Sequence, residues 1–172
     1  GVTFPGAPGI ILGVNRNIAW GTTNVGADVM DYYMETVDDT LAPTRYQLDG
    51  EWQPLDVRPE EYRDARGALI TTDTSYYTHR GPLLRAGAQW VSRRWTVLEP
   101  TKDFEAFRAA MKARSVNEYF DAMSAFIAPA QNLLVADQQG HIGIRSTALY
   151  PIRPLDGRGD RFFDGSTRAS DW

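Results

Sequence analysis

The feature that most limits what this chain can fold into is a change of hydrophobic period past its middle. Up to Pro100 the apolar residues come in short, strand-like stretches; between residues 101 and 113, Phe104, Phe107 and Met111 stand at helical spacing. Ser115-Val116-Asn117-Glu118 then reads as a capping box, in which a hydroxyl and a carboxylate satisfy the N–H groups left open at a helix start. The helix it opens carries Tyr119, Phe120, Met123 and Phe126 on one face, and Pro129 ends it. Strands, then helices, then strands predict an α+β fold in which helices pack on a mostly antiparallel sheet.

The strand-like stretches can be placed in order. Residues 10–14 and 17–24 flank a turn at Asn15-Arg16, and "DVMDYYMETV" is a third strand rich in Tyr, Val and Met. "RYQLDGEWQPL" holds Asp49-Gly50, the strongest local hairpin signal, because a tight two-residue turn needs positive φ at both positions. "DVRPEEYRDARGALITTDTSYY" predicts a strand pair turning near Ala65 to Gly67. Strands 132–137 and 141–147 flank the turn Gln138 to Gly140, and the tail from Pro151 reads as a Gly-, Pro- and Asp-rich loop.

Composition narrows the function. A chain of 172 residues with 42% apolar content is expected to form one domain, residues 1–172, with a real core. Its net charge of −4 is spread over mixed signs, which argues against nucleic acid as a partner. No apolar run approaches the roughly 20 residues of a membrane helix, and the N-terminus lacks a secretion signal. With no Cys, disulfides, thiolate zinc sites and a thiol nucleophile are excluded. Neither terminus reads as natural, so a fragment or a processed piece is expected.

Few residues announce chemistry by themselves. His79 and His141 stand in no metal-binding spacing and are read as structural or surface residues. Ser75, Ser92, Ser124 and Ser146 lie in no nucleophile-elbow motif. The glycines at 6, 9 and 13 fit no phosphate or dinucleotide loop and read as turn positions. Asp28 and Asp31 stand three apart, on opposite faces of a regular strand, so they could share a Ca²⁺ only at a backbone kink; spacing alone favours a solvated strand entry. The Tyr and Trp content allows a non-catalytic, β-rich ligand-binding domain that stacks sugars, although core packing is the simpler use. Asn132 raises a further question, because it opens the apolar run Leu133-Leu134-Val135-Ala136, where a polar side chain needs a partner.

Several segments, in order, resemble one family: "PGAPGIILGVNRNIAWGTTNVGADVMDYYME", "YQLDGEWQPL", "THRGPLL", "PAQNLLVADQQGHIGI", "YPIRPLDGRGD", and "DGS" with "DW". Together they look like the β-chain of the penicillin acylase family, N-terminal nucleophile amidohydrolases that include penicillin, cephalosporin and acyl-homoserine-lactone acylases. The resemblance implies an αββα sandwich, produced when a precursor cuts itself and exposes a Ser whose hydroxyl attacks an amide while its own α-amine takes the proton. It implies an α-chain and further β-chain segments as partners, a small-molecule amide as substrate, and a periplasmic or secreted location. The nucleophilic Ser is absent from the segment, and Gly1 has no hydroxyl, so this polypeptide alone is expected to be inactive.

By the same resemblance, Asn132 supplies an oxyanion donor through its side-chain amide, Asn24 supplies a second through its backbone N–H, and Arg153 orders the site electrostatically. Leu12 and Thr22 fall on acyl-pocket positions, with Leu12 favouring an aliphatic or broad acyl group. Asp28, Met30 through its carbonyl, and Asp31 correspond to part of a structural Ca²⁺ site, and no organic cofactor is implied. One departure concerns Thr78-His79-Arg80-Gly81-Pro82: the family places His directly before Gly, and here Arg80 intervenes. A second is the stretch from Trp95 to Asn132, shorter than in the larger acylases, which implies a more open cleft.

Overall fold

A computed structural model describes residues 1–6, 9–154 and 156–172. Ala7 and Pro8 of the opening segment, and Leu155 of the tail, lie outside the described residues. The chain packs as two compact units, Gly1–Val29 with Glu99–Tyr150 and Met30–Leu98 with Pro151–Trp172. Among the described residues no helix is long and apolar enough to cross a membrane.

The first unit is a four-stranded antiparallel sheet carrying helices on one face. Strands β1 (Gly13–Val14), β2 (Ile18–Asn24), β10 (Gln131–Asp137) and β11 (Ile142–Thr147) lie in the order β1-β2-β10-β11. Alternate side chains of a strand take opposite faces, so Ile18 and Trp20 of β2 and Leu133 and Val135 of β10 share a face. They are buried against Ala106 and Ala110 of α1 (Asp103–Ala110), Tyr119 of α2 (Val116–Ala122), and Ala113, Met123 and Phe126. Burial of that kind contributes about 1.5–3 kcal/mol for each large side chain. The opposite face leaves Val14, Leu134, Ile142 and Ile144 exposed.

The helical spacing of residues 101–113 gives a helix, and two of the three expected residues, Phe107 and Met111, pack against the core. Phe104 is 62% exposed, and the small Ala106 and Ala110 are the fully buried residues of the helix. The α2 start also differs slightly from a capping box. Ser115 accepts the Glu118 N–H at 3.2 Å, whereas the Glu118 carboxylate reaches the N–H of Arg114 at 2.8 Å, one residue earlier than the motif predicts. Asn15 ties the sheet to α1. Its Nδ2 donates to the carbonyls of Met111 and Ala113 at 3.1 and 2.9 Å, and its Oδ1 accepts from the N–H groups of Asn17 and Ile18 at 2.7 and 2.9 Å.

The second unit holds β3 (Met30–Glu35), β4 (Arg45–Leu48), β5 (Glu51–Pro54), β6 (Asp56–Arg63), β7 (Leu69–Thr78), β8 (Gly81–Ala86), β9 (Gln89–Trp95) and β12 (Phe162–Asp164). Six of these form a sheet in the order β12-β3-β9-β8-β7-β6, while β4 and β5 make the expected hairpin, with φ of 51° at Asp49 and 85° at Gly50. Strand β12 corrects the reading of the tail as loop throughout. It pairs parallel with β3, placing Phe162 beside Tyr32 and Phe163 beside Tyr33. Strands β6 and β7 extend as a largely exposed ribbon; its outer strand contains Pro59 and an irregularity between Tyr62 and Arg63. Trp20, Trp90, Tyr33, Tyr46 and Tyr119 are buried, so these aromatics serve the cores and not a sugar-stacking surface.

Candidate active site

The register of β2 decides which of its backbone groups remain available. Asn24 lies opposite Gln131 and Thr23 opposite Asn132. At the two ends of this ladder, Gln138 N–H donates to Asn17 O at 3.0 Å and Val25 N–H to Ala130 O at 3.3 Å. Backbone bonding in an antiparallel pair alternates, so the odd-numbered residues of β2 bond to β10. Ile18, Trp20, Thr22 and Asn24 turn their backbone groups toward the β1 side. But β1 pairs only at Gly13 with Trp20 and Val14 with Ala19. Before it, Ile11 and Leu12 bond instead with Val2, at 2.8 Å each. The N–H groups of Thr22 and Asn24 therefore meet no acceptor among the described residues.

A cavity opens beside this uncovered edge, on the helix-bearing face. It has a volume of about 400 Å³ and is lined by Phe4, Ile11, Thr22, Phe104, Phe126 and Leu133, with Asn24 and Gln131 also in its wall. Phe107 contributes as well, its ring 5.3 Å from that of Phe126. Thr22, expected at an acyl-pocket position, is one of the residues that line it. Leu12 does not line the cavity among the described residues; its neighbour Ile11 does, and the exposed ring of Phe104 now has a surface to serve.

Asn132, expected to share an oxyanion with Asn24, lies one register position from it on the neighbouring strand. Gln131 and Leu133 line the cavity, so the residue between them stands on the opposite face of the sheet. Its Nδ2 lies 3.5 Å from Thr23 Oγ1, a long contact across the strand pair. Asn24 engages Gln131, whose Nε2 donates to Asn24 Oδ1 at 2.7 Å and to Ala130 O at 3.0 Å.

Within the second unit, Arg153 and Asp31 form a buried pair. Arg153 Nε donates to Asp31 Oδ2 at 2.8 Å, and Trp172 Nε1 donates to the same oxygen at 2.6 Å. The Arg153 side chain is only 9% exposed and pairs with Asp31. The other carboxylate oxygen, Asp31 Oδ1, is buried without a protein hydrogen bond. An oxygen in that state suits a hard cation. Asp28 is exposed and precedes β3, and Met30 is the first residue of that strand. No group of three His, Cys, Asp or Glu side chains assembles among the described residues.

The departure at His79-Arg80 has a structural counterpart. Arg80 is buried, donating from Nε to Asp171 at 2.6 Å, and from Nη1 to Glu35 and to the Gly165 carbonyl at 2.9 Å each. Ser92 also donates to Glu35. Burial raises the Glu35 carboxyl above its ordinary range, against the opposing pull of Ser92 and Arg80. Burial also pushes Asp171 up, but its bonds to His79 and Arg80 outweigh that and hold it low. His79 bridges Tyr46 and Asp171 at 2.9 Å each, and His141 bonds Asp137 at 3.0 Å. Neither histidine approaches a serine, so no Ser-His-Asp triad forms among the described residues.

Comparison with known proteins assigns the chain to a family. The penicillin amidase family model matches residues 1–172, and the chain belongs to that family. It is 30% identical to "Acyl-homoserine lactone acylase QuiP" of Pseudomonas aeruginosa over 190 residues, covering 100% of this chain and 22% of the relative. The protein of that name from Pseudomonas fluorescens Pf0-1 is 32% identical, with 89% of this chain and 19% of the relative covered. "Penicillin G acylase" of Escherichia coli is 29% identical, at 96% and 20% coverage. Among solved structures, thermostable penicillin G acylase from Alcaligenes faecalis superposes with a TM-score of 0.79 at 26% identity, covering 94% of this chain and 29% of that one. The antiparallel and mixed sheets with two helices match that fold. The chain thus spans about a fifth of the length of the curated relatives it matches.

Proposed function

We propose that this chain is part of an amidohydrolase that removes an acyl group from an amine through an N-terminal serine. The observation that carries the reading is the unpaired N–H of Asn24, on the uncovered edge of β2 beside the cavity. Such a donor is fixed before the reaction and gains strength as charge develops on the substrate oxygen. In this mechanism a serine supplied from outside the segment attacks the amide carbonyl, and its α-amine takes the hydroxyl proton and passes it to the leaving amine. Water then attacks the acyl-enzyme, giving its proton to the same amine, which returns it to the serine oxygen as the acid leaves. The acyl chain occupies the cavity, against Thr22 and the phenylalanines.

In this scheme Asn24 provides one oxyanion donor and the second comes from the rest of the protein. Asn132 orders Thr23 on the opposite face, and Arg153 serves the site indirectly by holding Asp31. Asp31 Oδ1 is the natural oxygen for a structural Ca²⁺, with the Met30 carbonyl and Asp28 as the companions expected from the family. The α-chain and the remaining β-chain segments are the proposed partners, and a periplasmic or secreted location is proposed with them. N-terminal sequencing of the mature polypeptide that contains this segment tests the mechanism. A processed N-terminal Ser together with hydrolysis of a linear amide supports it; a mature chain without that Ser overturns it.

A further inference from the structure

We infer that the uncovered stretch of β2 from Thr22 to Asn24 binds the acyl group of its substrate as an added strand, so that the preferred acyl group is peptide-like, with further amides ahead of the scissile carbonyl. This rests on the acylase reading above and names its substrate class. Alternate residues of a strand turn their backbone groups the same way, and the N–H groups of Thr22 and Asn24 meet no acceptor among the described residues because β1 pairs only as far as Gly13 with Trp20. Ile11, which stands where the line of β1 would meet Thr22, gives its N–H to the Val2 carbonyl at 2.8 Å instead. An edge of this kind takes up an extended peptide through main-chain hydrogen bonds, and side-chain pockets then supply the choice between peptides.

Spacing and direction follow from the strand. The two N–H groups are two residues apart, roughly 6.5–7 Å along the edge, which is the repeat of carbonyls that point the same way in an extended peptide. With the acyl group in the cavity against Thr22, the chain runs back from the oxygen held at Asn24 toward Thr22, parallel to β2. The bonds of a parallel pair are slanted, so each residue donates to one neighbour of the residue opposite it and accepts from the other. With the scissile carbonyl on the Asn24 N–H, the N–H of that same acyl residue meets the Thr22 carbonyl. The Thr22 N–H meets the carbonyl two residues earlier. A plain alkyl chain satisfies neither of these Thr22 groups.

The sheet face supplies the pocket. Thr22 lines the cavity on the helix-bearing side, and the residue of the added strand that stands opposite Thr22 turns its side chain to that same side. This is the residue just before the one carrying the scissile carbonyl. Its side chain enters the wall formed by Phe4, Ile11, Phe104, Phe107, Phe126 and Leu133, where an apolar group is favoured. The inference draws on main-chain groups of β2 for the strand and on this apolar wall for the side chain.

The test uses the mature full-length protein and three para-nitroanilides: that of acetyl-leucyl-glycine, its depsi analogue in which an ester oxygen replaces the glycine N–H, and that of octanoic acid. Expected is a kcat/KM for the peptide above that for the depsi analogue by roughly threefold or more. Thr22→Pro, which removes an N–H outside the β10 ladder, is expected to lower the peptide-to-octanoyl ratio by roughly three- to tenfold, and Thr22→Ala, which keeps that N–H, by less. Equal turnover of the peptide and its depsi analogue overturns the inference even where Thr22→Pro fails to fold, as does a ratio that the two substitutions lower equally. Turnover of the octanoyl substrate in either case leaves the acylase reading standing. Hydrogen exchange of the Thr22 amide reads the edge without turnover. Slowing by free acetyl-leucyl-glycine supports the added strand, and if no amide is hydrolysed it rejects only the acylase mechanism. Exchange that is already slow without ligand, or that the acid leaves unchanged, overturns the inference.

Discussion

Gln131 Nε2 lies 2.7 Å from Asn24 Oδ1, across the last register position of β2 and β10, while the backbone N–H of Asn24 points the other way, along the edge that β1 leaves uncovered. Side chain and backbone of one residue are thereby given separate tasks, and substitutions can separate them.

Asn24→Pro removes the N–H on the side of β2 that makes no ladder bond. In the full-length enzyme it is expected to lower kcat by about a hundredfold to a thousandfold, the usual cost of one oxyanion donor, while Asn24→Ala stays within roughly tenfold of the parent. Asn132→Ala is also expected to cost no more than roughly tenfold. Steady-state kinetics on one amide decide the matter, and a loss confined to Asn132→Ala would return the oxyanion role to that residue.

Asn15→Ala strips partners from two carbonyls after α1 and from two N–H groups of the β1–β2 turn. The expected loss is about 2–4 kcal/mol from the summed hydrogen bonds. Hydrogen exchange should show the amides of residues 15–18 and the end of α1 opening together; separate opening would mean that Asn15 does not couple them.

Arg80→Met leaves Glu35 buried with one carboxylate oxygen already lacking a partner. The expected destabilisation is about 3–5 kcal/mol, partly relieved by adding Glu35→Gln. Thermal melts of the two single variants and the double variant measure the coupling. Strict additivity would rule out the pair as a unit.

Asp171 has a folded-state pKa below its unfolded value, so folding favours its ionised form. Its contribution is complete above the unfolded value of roughly 3.9 and is lost as pH falls through the lower folded value. Glu35 has the opposite sign, since its raised value makes folded protein bind the proton more readily and reduces stability as pH climbs past the unfolded value. Urea midpoints between about pH 2 and 4 should rise with pH, and Asp171→Asn should flatten that slope. An unchanged slope would show that Asp171 is equally acidic in the unfolded chain.

If Asp31 Oδ1 holds a Ca²⁺, chelation should lower the thermal midpoint of the full-length protein, and added Ca²⁺ should restore it. Asp31→Asn should abolish the response. A midpoint indifferent to chelator and calcium would remove the metal from the proposal.

Local chemistry made some of this architecture legible. Asp49-Gly50 announces its hairpin because few residue pairs tolerate two positive φ values, and Ser115 announces a helix start through a bond to a residue three positions away. The α1 period gave a helix and two of its packed residues, Phe107 and Met111, but not Ala106 and Ala110, which carry little hydrophobic signal despite allowing close packing. Strand β12 is three residues long and draws its stability from a distant partner, β3, so nothing near it in the sequence marks it. The site was less legible still. Thr22 and Asn24 were reached through family resemblance, but the free N–H depends on where β1 stops, and Arg153 meets Asp31 across 122 positions. The Gln131 contact was missed, although a polar pair at matching ends of two adjacent strands was its available signal.

The β6–β7 ribbon offers an exposed outer edge that could template another chain. Pro59 deletes one donor from that edge, and the irregularity at Tyr62-Arg63 bends the register beyond it. Arg58 with Asp56, and Arg63 with Glu61, place charge along the same strand. Any strand that tried to add there would find its hydrogen bonding interrupted within a few residues, so the ribbon can project into solvent at length without becoming a seed for fibrous assembly.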